Sequence, residues 1–147
     1  MIDAENAIFA RVREKILERF PETAVLNGGP ETPEALPAVV LTEEDNASYA
    51  RSLDGEGKEH HARVTYALDV FTDALNGGKT LAKAIAGAAD GVLCGLRFTR
   101  LSFSPAEIGE RGVVRFSGRY RAVVAAPKEE GVDGEGRPRL IYTIYRK

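Results

Sequence analysis

Apolar residues along this chain switch between a helical and a strand-like period, and the switches divide it into elements. Ile8, Phe9, Val12, Ile16 and Phe20 fall at spacings of one, four, four and four, which is one helical face. Asp3 is the expected N-cap, and Glu5 lies in the first turn, where a carboxylate suits the helix dipole. Pro21 stops this helix, because the residue before a proline avoids the α region. Asn27-Gly28-Gly29-Pro30, Pro33 and Pro37 predict an irregular link to a short buried strand, Ala38 to Thr42. From Glu43 to Glu59 the pattern is lost, and a long polar loop is expected.

Alternation then becomes clear. Val64, Tyr66, Leu68 and Val70 share one face, with Arg63, Thr65 and Asp69 on the other, as in a half-buried strand. Asn76-Gly77-Gly78 breaks it. Thr80 can cap a second helix whose predicted buried face is Leu81, Ile85, Ala88 and Val92, with small residues that let it lie close to a sheet. Thr99, Leu101 and Phe103 predict a strand ended by Pro105. Val114, Phe116, Tyr120, Ala122 and Val124 predict another, with Arg115, Ser117, Arg119 and Arg121 on its polar face. Gly118 falls mid-strand on the apolar face, where a bulge or a close helix contact is expected. Leu140 to Tyr145 is β-prone and apolar on both faces, so a central position or cover from another chain is expected.

The order helix-strand-strand-helix-strand-strand-strand predicts an α+β fold, a mostly antiparallel sheet with two helices packed on one face. Residues 1–126 form the expected single domain, and 127–147 a glycine-rich turn and C-terminal strand. A length of 147 residues suits one core. No apolar run approaches the ~20 residues needed to span a bilayer, so no membrane partner is expected. The opening residues lack a basic and apolar leader, so no signal peptide is expected. One cysteine, Cys94, excludes an internal disulfide and fits a reducing compartment. A net charge of -2 gives no global attraction to nucleic acid, but the charge is uneven. Eight acidic residues between Glu31 and Glu59 face only Arg51 and Lys58, while six arginines between Arg97 and Arg121 face Glu107 and Glu110.

Candidate chemistry is sparse. Gly77-Gly78-Lys79-Thr80 stands where a phosphate-binding loop belongs, after a strand and at a helix start. Asp73 occupies the position of the required first glycine and would repel a phosphate, so a plain turn is the expectation and no cofactor is assigned. His60 and His61 are adjacent and point to opposite strand faces, so no metal site is expected. Cys94 reads as a small buried hydrophobe. Paired acids such as Glu43-Glu44 lack an apolar pocket, and Ser102 and Ser104 lack a histidine base, so no catalytic residue is assigned and an enzyme is not expected. Arg115, Arg119 and Arg121 are the one polar row with a pattern. They read as a solvated outer face or as a contact surface for the acidic region of a neighbouring copy.

Glu44 to Asp54, the strand through Tyr66 and Val70, the helix from Lys79 to Leu96, Phe98-Thr99-Arg100, Ser104-Pro105 and Gly118 to Val124 resemble tailed-phage and prophage tail terminator proteins, also described as tail completion, minor capsid or neck proteins. The resemblance covers roughly residues 1 to 126 and rests on pattern and order. It implies a structural virion protein in the tail or neck, assembled in the bacterial cytoplasm. Such a protein forms a homo-oligomeric ring, typically of six copies, that caps the tail tube and joins it to the head connector. DNA would pass through the lumen without sequence-specific binding. On this reading Tyr49 and Arg51 are candidates for tube contact, and Arg115, Arg119, Arg121, Tyr142 and Ile144 for the subunit interface. The alternatives are a nucleotide- or ligand-binding domain using Gly77 to Thr80, and a dimeric interaction domain joined through the terminal strand.

Overall fold

A computed structural model describes residues 3–29, 33, 35–48, 61–75, 77–108, 112–125, 128–132, 138–141 and 144–145. Helix α1 (Glu5–Arg19) is followed by strands β1 (Ala24–Asn27), β2 (Ala38–Ser48) and β3 (His61–Asp73), then helix α2 (Gly78–Gly95). Strands β4 (Thr99–Ile108), β5 (Val113–Ala125), β6 (Lys128–Val132), β7 (Pro138–Ile141) and β8 (Ile144–Tyr145) complete the order. The main sheet runs β1-β2-β3-β5-β4, with β8 also paired to β5. Among the described strands β1 and β2 pair in parallel, and the other pairs are antiparallel. The chain is therefore α+β with its helices against a sheet, as the order of elements predicts.

β3 and β5 form the spine, in unbroken register from His61↔Ala125 to Asp73↔Val113. Their inward residues Val64, Tyr66, Leu68, Val70, Val114, Phe116, Tyr120, Ala122 and Val124 are buried, as alternation requires. Both helices bury against this one face: α1 through Ile8, Val12 and Ile16, α2 through Ala82, Ile85, Ala86, Ala89 and Leu93. Phe98 follows α2 into the core and meets Tyr66 edge-to-face, with ring centroids 5.6 Å apart. A smaller cluster of Ala38, Val40 and Phe71, with Leu26, Leu36 and Val113, packs separately from this core.

Several local expectations differ. β2 continues to Ser48 instead of ending near Thr42, because the residues after Glu43 pair with β3 across a bulge between Glu43 and Asp45. β1 adds a strand ahead of the expected link, which begins only at Asn27, because Ala24 to Asn27 pairs with β2. Ala4, not Asp3, occupies the N-cap of α1, although the Asp3 carboxylate accepts the Glu5 N–H at 3.1 Å. Helix α2 begins two residues before Thr80. Its N-cap is Gly77 at φ 73°, a left-handed conformation that glycine adopts without a Cβ penalty.

The buried face of α2 is also rotated from the one predicted. Leu81 is 37% exposed, whereas Ala82, Ala86 and Ala89 are buried, because small side chains let the helix axis approach the sheet. β4 passes through Pro105, which falls in an irregularity between Ser104 and Glu107 where a missing N–H is tolerated. A second irregularity between Arg100 and Ser102 turns Leu101 out, 46% exposed. At Gly118 the register is regular, and the close neighbour is the Phe103 ring, not a helix. The apolar stretch after Leu140 is divided: β7 pairs with β6, and β8 pairs with β5 of the same chain at Val123 and Val124.

Candidate functional site

The sheet face opposite the two helices carries the arginine row. Register places Phe71 opposite Arg115, Asp69 opposite Ser117, Ala67 opposite Arg119 and Thr65 opposite Arg121. Alternation turns all of them away from the helix-covered core. Arg115 donates from Nε and Nη2 to Asp69 Oδ1 at 3.1 and 3.0 Å, and its guanidinium lies 5.5 Å from the centroid of the Phe71 ring. The Ser117 hydroxyl donates to the same carboxylate oxygen. Arg119 makes a two-pronged pair with Glu44, Nε to Oε1 at 2.9 Å and Nη2 to Oε2 at 3.2 Å. The β2 bulge leaves Glu44 out of the ladder and re-aims it, and small Ala67 lies between the partners on the intervening strand.

These pairings revise the contact-surface reading. Two of the three arginines close on carboxylates of their own chain, one of them from the acidic region expected to reach a neighbouring copy. Arg121 is exposed and has no hydrogen-bonding or ionic partner among the described residues, and the same holds for Arg63, one strand over on the same face. The charge asymmetry is visible in the sequence, but a pair separated by 75 positions is not. Tyr49, Arg51 and Tyr142 lie outside the described residues, and Ile144 pairs through its backbone with Val124.

On the covered side two tyrosines, register partners on the central strands, reach opposite carboxylates. The Tyr66 hydroxyl donates to Glu43 Oε1 at 3.1 Å. Burial, then the Tyr66 bond, act in opposite directions on Glu43, and the neighbouring Glu5 and Asp3 join burial in pushing its carboxyl up. Tyr120 donates to Asp90 Oδ1 at 2.7 Å, an oxygen that also receives Arg100 at 3.3 Å and lies 3.8 Å from the Cys94 sulfur. Burial, reinforced by these carboxylates, pushes both phenols up, so each stays a donor. Cys94 is half-buried beside Asp90, rather than sealed in the core.

The Gly77–Thr80 helix start closes on its own strand. Gly78 is buried, a Cβ there would fall on the Asp73 carbonyl, and the Thr72 hydroxyl donates to the Gly78 carbonyl at 2.6 Å. His60 lies outside the described residues, and His61 sits at the start of β3. Among the described residues no group of three or more His, Cys, Asp or Glu could hold a metal ion, and no helix is long and apolar enough to cross a membrane. Comparison with protein-family models gives no match for this chain, and comparison with curated proteins gives none either.

Proposed function

We propose that this chain is a structural assembly subunit, a ring-forming protein of the kind its resemblance to phage tail terminators implies. In that role copies of the chain cap a tail tube and offer a surface to the head connector, with DNA in the lumen. The observation that supports the reading is the arginine row on the sheet face opposite the helices. It holds two internal ion pairs and, beside them, the exposed cations Arg63 and Arg121, which have no partner among the described residues. A surface whose charge is only partly compensated suits docking against another folded surface, where unpaired charge steers encounter and register.

The test is the mass of the purified full chain by light scattering, followed by negative-stain images, alone and with a tail tube protein. Closed rings, alone or on tube ends, are the expected result. A monomer in both conditions overturns the proposal, and a dimer moves it to the plain interaction domain. Charge reversal of Arg63 and Arg121 is expected to weaken assembly without unfolding the subunit. Calorimetric titration with nucleotide is expected to give no heat; a saturable signal would instead favour the ligand-binding reading.

A further inference from the structure

The ladder between β3 and β5 repeats one cross-strand diagonal along the face opposite the helices, and opposite chemistry fills it at two places. At the first, Arg115 reaches across to Asp69, the register partner of Ser117, and closes on it at 3.0 Å. Further along β5 the same diagonal starts at Arg121 and ends on the register partner of Val123, which is Arg63. The register is unbroken from His61↔Ala125 to Asp73↔Val113, so the two diagonals share one backbone geometry. Diagonal neighbours lie about 7–8 Å apart, within reach of long side chains. The geometry that carries an ion pair at Arg115 therefore carries two guanidinium groups at Arg121. Both are exposed and without a partner among the described residues, and neither can shed its charge by deprotonation.

Hydroxyl donors flank this pair. Thr65 on β3 and Thr99 on β4 are both register partners of Arg121, so they stand on either side of it on the same sheet face. Arg119, the next residue of β5 on that face, is already closed on Glu44. Among the described residues the carboxylate in this cross-strand row is Asp45, the partner of Thr65 on β2, which is exposed and has no ion-pair partner. We propose that Arg63 and Arg121 hold a phosphate group between them, with the Thr65 and Thr99 hydroxyls as further donors. An oxyanion there replaces the repulsion of the two cations by charge-assisted hydrogen bonds, as Asp69 does for Arg115. Phosphate fits better than a carboxylate: two guanidinium forks and two hydroxyls offer about six donors, against about four lone-pair sites on a carboxylate. The site shares its cations with the contact surface proposed above, but it needs no second copy of the chain.

The test follows the arginine Nε–H signals of the full chain by NMR during titration with inorganic phosphate, with sodium chloride adjusted to hold the ionic strength constant. Saturable shifts centred on Arg63 and Arg121 are expected. Arg63→Gln should weaken binding by about tenfold or more, Asp45→Asn should tighten it, and Arg115→Gln should leave it unchanged. All three positions are exposed, so the variants should melt with the unaltered chain. Acetate should bind at least about tenfold more weakly than phosphate, and equal binding overturns the choice of ligand. Dimethyl phosphate identifies the source: binding equal to inorganic phosphate points to the diester of a polymer, and weaker binding to free phosphate or a monoester. Shifts spread evenly over the other exposed arginines, a titration that does not saturate, or binding untouched by Arg63→Gln overturns the site. Binding is read on the chain in any state of association, which keeps the two proposals apart. A monomer that binds phosphate retains the site and loses the ring, whereas rings formed by a chain indifferent to phosphate retain the ring and lose the site.

Discussion

Gly118 and Phe103 offer the sharpest check on the packing argument. The Phe103 ring lies over Gly118 so closely that a Cβ there would stand 2.7 and 2.9 Å from Cδ2 and Cε2, and 3.2 Å from Cε2 of Tyr120. Gly118→Ala must displace the Phe103 ring, which also packs against Phe116 with centroids 5.8 Å apart. Overpacking of this size destabilises by about 2 kcal/mol, and in a chain of this length that lowers the melting temperature by roughly 4–8 °C. The sign should change when the obstacle is removed. In a Phe103→Ala background the new methyl has space, and alanine restricts the unfolded chain more than glycine does, so the same substitution should be neutral or stabilising by up to about 0.5 kcal/mol. Urea denaturation of the four chains closes the double-mutant cycle, with an expected coupling of about 2 kcal/mol. Equal losses in both backgrounds would refute the reasoning and move the cause to Tyr120 or to the backbone.

Gly91→Ala should stabilise the monomer by about 1 kcal/mol in urea melts, since nothing occupies the space above it. Tyr120→Phe removes a bond to a charged acceptor that keeps Arg100, and should lose about 1.5 kcal/mol by the same assay. The Glu44–Arg119 pair is exposed, so its coupling in an alanine cycle should stay below about 1 kcal/mol and shrink with added salt. Glu43 has its carboxyl pushed up in the folded state, so the native chain holds more protons than the unfolded one just above the ordinary glutamate range of about 4.3. Its contribution is full below that range and is lost as pH rises through the shifted value. Glu43→Gln should therefore flatten the fall of stability with rising pH there, measured by melting across a pH series.

The parts of the fold set by periodicity were legible, and the parts set by tertiary distance were not. Val64 to Val70 and Val114 to Ala122 alternate cleanly because one face of each strand meets a core, and burial follows the alternation until Val123, which is buried on the other face. The large residues of α2 predict a different buried face from the one it uses. The sheet instead takes Ala82, Ala86 and Ala89, where close approach matters more than side-chain size. Glu43 to Ser48 looks like loop by hydropathy, yet its polar residues are used: Glu43 meets Tyr66 and Glu44 meets Arg119. The bulge that serves both leaves no signature in composition. Of the candidate contact residues, the arginines were found by alternation, but which of them stay available depended on partners dozens of positions away.

That last point bears on how a second copy would be chosen. With Arg115 and Arg119 closed on Asp69 and Glu44, the sheet face presents little net field beyond Arg63 and Arg121. Residual surface charge of this kind acts on encounter rate and salt dependence more than on the lifetime of a complex. Under the proposed assembly, reversing Arg63 and Arg121 should slow association and change its salt dependence, while dissociation stays close to that of the unaltered chain. Stopped-flow mixing resolves the two rates. If the reversal instead sped dissociation and left association unchanged, the two cations would lie inside the contact and not at its rim, and the steering argument would fail.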